Sequence, residues 1–225
     1  MRNRRAVVLL SGGLDSATVL AISGSMGMEI TALSFHYGQN HAIELQLARR
    51  TAASAGVAEH IVIDLDPEPF RGSSLTGKGP VNREGPREGI PDTYVPARNT
   101  IFLSIALGIA EGRGAGNIFI GVNSIDYSGY PDCRPEFIRA FQNLASLATR
   151  EAVRGNPPVI HAPLMHMTKA EIIKRGLELG VDYSSTISCY DPQPGGYSCG
   201  LCDSCRLRLE AFGSLGMKDP AAYVL

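Results

Sequence analysis

Apolar and polar positions fall along this chain in blocks that predict a sheet with helices between its strands. Residues 6–10 are a continuous apolar run, the pattern of a parallel strand buried on both faces. A loop, Ser11-Gly12-Gly13-Leu14-Asp15-Ser16, leads into Ala17-Thr18-Val19-Leu20-Ala21, which reads as helix. Residues 29–35 predict a second strand, closed by the polar stretch His36-Tyr37-Gly38-Gln39-Asn40-His41. In the helix that follows, Ile43, Leu47, Ala48, Thr51, Ala52 and Ala55 share one face, with Glu44, Gln46, Arg49 and Arg50 outside it. Gly56 stops that helix, and residues 61–63 predict a short third strand.

Proline and glycine then break the pattern over residues 66–92, where no regular element is expected. A mobile lid or disordered loop is one reading of this stretch and a plain solvated loop the other; Arg71, Lys78, Arg83 and Arg87 outnumber Glu84 and Glu88. Beyond Val95-Pro96-Ala97-Arg98-Asn99, residues 100–111 are apolar on nearly every side and predict a buried helix. Residues 117–122 predict a fourth strand ending in Asn123-Ser124-Ile125-Asp126-Tyr127. A helix over about 135–150 would turn Phe137, Ala140, Phe141, Leu144, Leu147 and Ala148 inward, and 159–164 predicts a short fifth strand. Thr168-Lys169-Ala170-Glu171 is a capping box opening a helix to about Leu179, with Gly180 closing it. Strands alternating with helices predict an α/β fold, a doubly wound parallel five-stranded sheet, with ligands at the carboxyl ends of its strands. The body should span 1–185, with a small C-terminal subdomain over 186–225.

The first loop carries the chemistry. Two glycines allow a tight turn, the helix start offers unpaired N–H groups and a positive dipole end, and Ser11 and Ser16 add hydroxyls. Leu10 to Thr18 therefore form an anion cradle suited to phosphate. No lysine completes a Walker loop, and G-x-G-x-x-G is absent. Asp15, an acid beside an anion site, makes sense as a holder of Mg²⁺. Arg98 and Lys169 are the candidates to supply positive charge, against a reading of each as an exposed, salt-bridged residue. SGG-x-DS after a first strand resembles the PP-loop of ATP pyrophosphatases, the adenine nucleotide alpha hydrolase-like fold, which cleave ATP between its α and β phosphates.

Cys189, Cys199, Cys202 and Cys205 end in Cys-x-x-Cys-x-x-Cys, a set that can enclose one ion tetrahedrally. Zinc in a closed structural site is the first reading; an iron–sulfur cluster is the rival, although Arg206 and Leu207 stand where the ferredoxin run would continue. Cys133 is left over, either a nucleophile or a small packed residue. His36 and His41 are acid–base candidates or structural residues, and Asp126 and Asp132 contact substrate or cap turns.

The 225 residues carry net charge −1, are 44% hydrophobic and 19% charged, and so point to neither nucleic acid nor membrane as partner. Arg2, Arg4 and Arg5 precede an apolar run too short for a signal peptide core, so a cytoplasmic location is expected, where the five cysteines would not form a disulfide framework.

Longer stretches match more closely: LSGGLDSAT at 10–18, Tyr37-Gly38-Gln39, VPARNT at 95–100, GVNSIDYSGYPDCRPEF at 121–137, PLMHMTKAEII at 163–173 and the segment ending CGLCDSCRLR. On these the chain resembles the QueC family of queuosine precursor biosynthesis. The resemblance implies an ATP-dependent carbon–nitrogen ligase that turns 7-carboxy-7-deazaguanine and ammonia into the nitrile, through carboxylate activation and an amide. It implies ATP, Mg²⁺ and one structural Zn²⁺ per chain, a homodimer, and free ammonia as donor, since no stretch remains for a glutaminase. Tyr37, Gln39, Asn99, Asp126 and Asp132 join Asp15 as the implied catalytic and substrate-facing residues. The alternative is a PP-loop enzyme that thiolates tRNA, which would call for a catalytic cysteine and a basic surface.

Overall fold

The computed structural model describes every residue except 1, 2, 41, 42, 78, 84, 86–88, 126–128 and 225. Among the described residues, β1 (Arg5–Leu9), β2 (Glu29–His36), β3 (Glu59–Asp64), β4 (Asn117–Phe119) and β5 (Val159–His161) form one sheet in the order β3-β2-β1-β4-β5. Each neighbouring pair is parallel. Helices connect them: α1 (Leu14–Ser25), α2 (Ile43–Ser54), α3 (Arg98–Arg113), α4 (Pro135–Ala148), α5 (Arg150–Val153), α6 (Lys169–Glu178) and α7 (Asp203–Ser214).

The apolar run of β1 is explained by burial on both sides. Val7 and Leu9 meet α3 and α4 through Leu103, Ala106, Phe141 and Ala145. Ala6 and Val8 meet the opposite layer, where Val19, Leu20, Ala48, Ile172 and Phe212 come from α1, α2, α6 and α7. The chain grows outward from β1 in one direction, then returns to β1 and continues through β4. That reversal opens a crevice beyond the carboxyl ends of β1 and β4.

Several boundaries and faces differ from expectation. β4 and β5 stop at Phe119 and His161, because the next bond, Ile120 N to His161 O, is the last rung before the chains diverge. Helix α3 starts at Arg98 and is not buried all round: Thr100, Ser104 and Gly108 form an exposed line. In α4 the inward residues are Ile138, Phe141 and Ala145, while Ala140 and Ala148 are exposed and Leu144 and Leu147 stand 48% and 80% exposed. Two overlapping apolar stripes run along that helix, and the sheet takes the one whose Ala145 permits close approach. The helix also breaks at Thr149, whose side chain caps α5 instead. On α2, Ala55 faces outward rather than inward.

The described part of 66–92 is folded onto the body. A 3-10 turn, Glu68–Phe70, stands where no regular element was expected, and it buries Phe70 against Tyr37 at 5.1 Å between ring centroids. Ser73 and Ser74 hydroxyls donate to Asp92 O, and Asn40 N donates to Leu75 O at 3.0 Å. Lys78, Glu84, Arg87 and Glu88 lie outside the described residues.

The capping box is present as read: Thr168 and Glu171 exchange side-chain to main-chain bonds, and Gly180 follows with φ 77°. The C-terminal residues pack on the body, with the cysteines against Leu47 of α2 and Phe212 in the core beneath the sheet. Arg208, 2% exposed, fastens them: it donates to both carboxylate oxygens of Asp219 at 2.8 and 3.0 Å, to Tyr183 O at 2.8 Å and to Thr186 Oγ1 at 2.9 Å.

Candidate active site

The loop after β1 is a preorganised cradle. Gly12 has φ 86°, and a Cβ there would lie 2.2 Å from Glu44 O, so only glycine lets the start of α2 pack on the loop. Ser16 Oγ accepts from Ser11 N at 3.1 Å and donates to Gly13 O at 3.0 Å, while Ser11 Oγ accepts from Gly13 N at 3.2 Å. Gly13, extended at ψ 163°, is the N-cap of α1 and leaves the helix start facing the crevice. Leu10, Ser11, Gly13, Leu14, Asp15 and Ser16 line a cavity of ≈ 240 Å³. Gly12 packs behind it, and Ala17 and Thr18 point into the core, where Thr18 Oγ1 pairs with Tyr183 OH at 2.8 Å.

Arg98 enters the cavity from the first turn of α3. Its neighbour Ala97 holds φ 49°, the left-handed region an alanine adopts at a cost of ~1–2 kcal/mol. That kink aims the guanidinium at Tyr37, whose hydroxyl it bonds at 3.4 Å. Burial opposes the arginine's charge, but the hydrogen bond to Tyr37 and the nearby Asp132 carboxylate favour it, so Arg98 stays cationic. Burial pushes the Tyr37 phenol up, and it remains neutral.

Lys169, the other candidate cation, meets an acid of the loop. Its Nζ donates to Asp15 Oδ1 and Oδ2 at 2.8 and 2.9 Å, with the lysine side chain 8% and the aspartate 20% exposed. Asp132 is buried: its Oδ2 caps α3 by accepting from Asn99 N at 2.9 Å. Asn99 returns a bond to Asp132 O at 3.0 Å and reaches Cys133 Sγ at 3.4 Å. Burial pushes the Cys133 thiol up to about 12, with Asp132 adding to it and Arg98 opposing, which removes it as a thiolate nucleophile at neutral pH.

Tyr37 and Gln39 both line the cavity, and Gln39 also ties the strand end, accepting from Tyr37 N at 2.8 Å and donating to Phe35 O at 3.0 Å. At the tip of β4, Asn123 bonds Leu164 O at 3.2 Å and also Met167 O, holding the approach to α6 in place. Asp126 and His41 lie outside the described residues. His36 sits half-exposed against Asp64 at 3.1 Å, away from the cavity.

Sequence periodicity missed one residue. Glu44, on the outer face of α2 by pattern, lines the cavity because the first turn of α2 opens on the carboxyl edge of the sheet. Burial pushes its carboxyl up to about 7, partly offset by Arg98.

The sulfurs of Cys189, Cys199, Cys202 and Cys205 lie within 4.8 Å of one another, close enough to surround one ion. Main-chain N–H groups point at them: Asp191 N and Cys199 N at Cys189 Sγ (3.3 and 3.2 Å), Tyr190 N at Cys202 Sγ (3.4 Å), and Leu201 N and Cys202 N at Cys199 Sγ (3.4 Å each). Donors of this kind favour thiolates. Four buried sulfurs, thiolate-favouring amides and no open position fit a closed metal site. Arg83 of the 66–92 stretch pairs with Asp191 beside it, and Arg206 Nη2 donates to Arg83 O at 2.7 Å, so cavity rim and cysteine segment are joined.

The solved structure of NMN synthetase from Francisella tularensis is similar in fold. It superposes at TM-score 0.52 over 96% of this chain and 79% of that one, at 16% identity, a likeness of fold alone. Sequence similarity reaches further. The 7-cyano-7-deazaguanine synthase of Geobacter sulfurreducens is 61% identical across 98% of this chain and 94% of its own length. That of Syntrophotalea carbinolica is 61% identical across 98% and 97%, and that of Paramagnetospirillum magneticum 57% across 97% and 98%. The family model described as "Queuosine biosynthesis protein QueC" matches residues 5–216, which takes in the phosphate-type loop, the cavity wall and all four clustered cysteines. On that agreement of sequence, fold and site, the chain belongs to the QueC family.

Proposed function

We propose that this chain makes 7-cyano-7-deazaguanine from 7-carboxy-7-deazaguanine, ammonia and ATP. The observation that carries the reading is a PP-loop cradle opening into a cavity that also holds Arg98 and Tyr37, in a chain 61% identical to relatives named for that nitrile. The chemistry needs such a cradle because a carboxylate is a poor electrophile. Attack of its oxygen on the innermost phosphorus of ATP releases pyrophosphate and leaves an acyl-adenylate. Ammonia displaces AMP to give the amide. A second adenylation, on the amide oxygen, lets that oxygen leave too. Two ATP are used, and both carboxylate oxygens depart in AMP.

In this reading the loop amides between Ser11 and Ser16 bind the phosphates, and Arg98 neutralises charge at the reacting phosphorus. Asp15 is the residue placed to hold Mg²⁺, which supplies charge neutralisation when bound; Lys169 then keeps the carboxylate aimed and the local charge balanced. Tyr37, Gln39 and Asn99 shape the wall against which the acid lies, with Asp132 fixing Asn99. Zinc in the four-cysteine site would tie 186–225 to the rim of the cavity. A homodimer belongs to the reading as well, supported by Leu147 and Val153, apolar side chains 80% and 82% exposed on α4 and α5. Among the described residues no helix is long and apolar enough to cross a membrane. A cytoplasmic location is consistent with five unpaired, buried cysteines, which a reducing compartment keeps as thiols or metal ligands. With net charge −1 and Cys133 protonated, thiolation of tRNA is not favoured.

The test is direct. Purified chain with ATP, Mg²⁺, ammonium and the acid should yield a product whose mass is that of the nitrile, with the amide appearing first. Absence of both under saturating substrates contradicts the reading.

A further inference from the structure

Forming a nitrile from ammonium requires a base, and the loop, Arg98 and Lys169 supply only positive charge. Glu44 is placed for the task. Its main chain is fixed on Gly12 of the phosphate loop, and its side chain lines the cavity that Arg98 and Tyr37 share. Among the described residues no hydrogen bond is made to its carboxylate, in contrast to Asp15 and Asp132, which are both bonded. The residue is partly buried and its carboxylate is not tied to a neighbouring side chain, which leaves it able to meet a proton carried by a nitrogen in the cavity.

We propose that Glu44 is the proton acceptor for the nitrogen steps of the reaction. The inference rests on the functional reading above and deepens it. In the first step an N–H bond of ammonium breaks and its proton passes to the Glu44 carboxylate. The freed lone pair forms the C–N bond, and the C–O bond to AMP breaks with its electron pair leaving on AMP. The remaining extra proton goes to solvent. In the second, adenylation of the amide oxygen leaves a C=NH₂⁺ group; one of its protons goes to solvent, the remaining N–H bond breaks toward Glu44, that pair becomes the second C–N π bond, and AMP leaves with the C–O pair. Glu44 releases its proton between steps.

The electrostatics agree. Burial raises the carboxyl to about 7 and Arg98 offsets only part of the rise, which suits a group that must both take and release protons near neutrality. The titratable groups that share the cavity are Tyr37 beyond β2, Arg98 of α3, Asp15 of α1, Tyr130 and Cys133 before α4, and Cys189 and Tyr190 of the cysteine segment. Tyr37 and Cys133 are both held neutral, so neither competes with Glu44 for a proton near pH 7.

The test uses the full chain with Glu44→Gln and Glu44→Asp. Acid-dependent exchange of labelled pyrophosphate into ATP reads the adenylation half, and amide and nitrile formation read the nitrogen half. Glu44→Gln should lower amide and nitrile formation at pH 7 by ~10²-fold or more while pyrophosphate exchange falls far less. The rate per unit of free ammonia should lose its limb near pH 7, and Glu44→Asp should restore part of it. Equal loss of both halves assigns Glu44 to structure and overturns the proposal, as does an unchanged nitrile rate and pH profile. A wild-type chain that makes neither amide nor nitrile overturns the functional reading itself and the role of Glu44 with it.

Discussion

Lys169 Nζ grips both carboxylate oxygens of Asp15, at 2.8 and 2.9 Å, across 154 positions of sequence. The acid stands at the start of α1 and the base at the start of α6, so the contact locks the two helix starts together at the mouth of the crevice. The pair balances its own charge, and any cation that Asp15 takes must share the carboxylate with Lys169.

Replacing Lys169 by Met should therefore cost stability as well as turnover. Loss of a charge-assisted bond to a largely covered carboxylate is worth ~1.5–3 kcal/mol, measured as a drop in the urea midpoint with unchanged slope. Asp15→Asn should keep more of the stability and lose acid-dependent ATP turnover by ~10² or more. A Lys169→Met chain of wild-type stability would show that the pair is not held.

Glu44 predicts a pH-dependent stability difference. Its carboxyl sits near 7 in the folded chain and near 4.5 when unfolded, so folding grows less favourable as pH rises through that window. Glu44→Gln should be more stable than wild type at pH 8, by as much as ~3 kcal/mol at 1.36 kcal/mol per unit, with the two converging toward pH 4. His60 and His161 act in the opposite direction: burial lowers both below their ordinary value, so stability is full above 6.5 and falls as acid protonates them in the unfolded chain. Melts of Glu44→Gln and wild type across pH 4–8 separate these contributions.

Breaking the buried Arg208–Asp219 pair should be the most damaging single change outside the cavity. Arg208→Met leaves a carboxylate 1% exposed without its partner, a loss of ~3–5 kcal/mol, while Tyr183 and Thr186 lose their donors. Guanidinium unfolding checks it; a shift below 1 kcal/mol contradicts the assignment.

Cys202→Ser should release the metal and lower the melting temperature by at least ~5 °C. Elemental analysis of the purified chain gives the ion and its ratio, which the zinc reading sets at one per chain. A metal-free, fully stable Cys202→Ser chain would contradict a structural role.

The sequence discloses what is local. An apolar run, a glycine pair and a helix-forming stretch define β1, the cradle and α1 because all three lie within sixteen residues of one another. Cysteine spacing likewise announces its own cluster. Tertiary partners are hidden: Arg208 reads as a surface charge until Asp219 and Tyr183 fold over it. Glu44 was hidden for a different reason, since helical periodicity describes which side of a helix meets the sheet and says nothing of its end. The first turn of a helix that follows a parallel strand opens toward the crevice, so a polar residue there is a site candidate even when it falls outside the apolar face. That rule, applied to α2, would have found it. In α4 the periodicity was real but ambiguous, and only packing against β5 chose Ala145 over Leu144.

The central claim is that the cradle presents the innermost phosphorus of ATP to a carboxylate oxygen. Acid labelled with ¹⁸O at both carboxylate positions, carried to complete conversion and followed by mass spectrometry, tests it. The account predicts one label in each AMP released and none in pyrophosphate. Label recovered in inorganic phosphate or water, with AMP unlabelled, would contradict it.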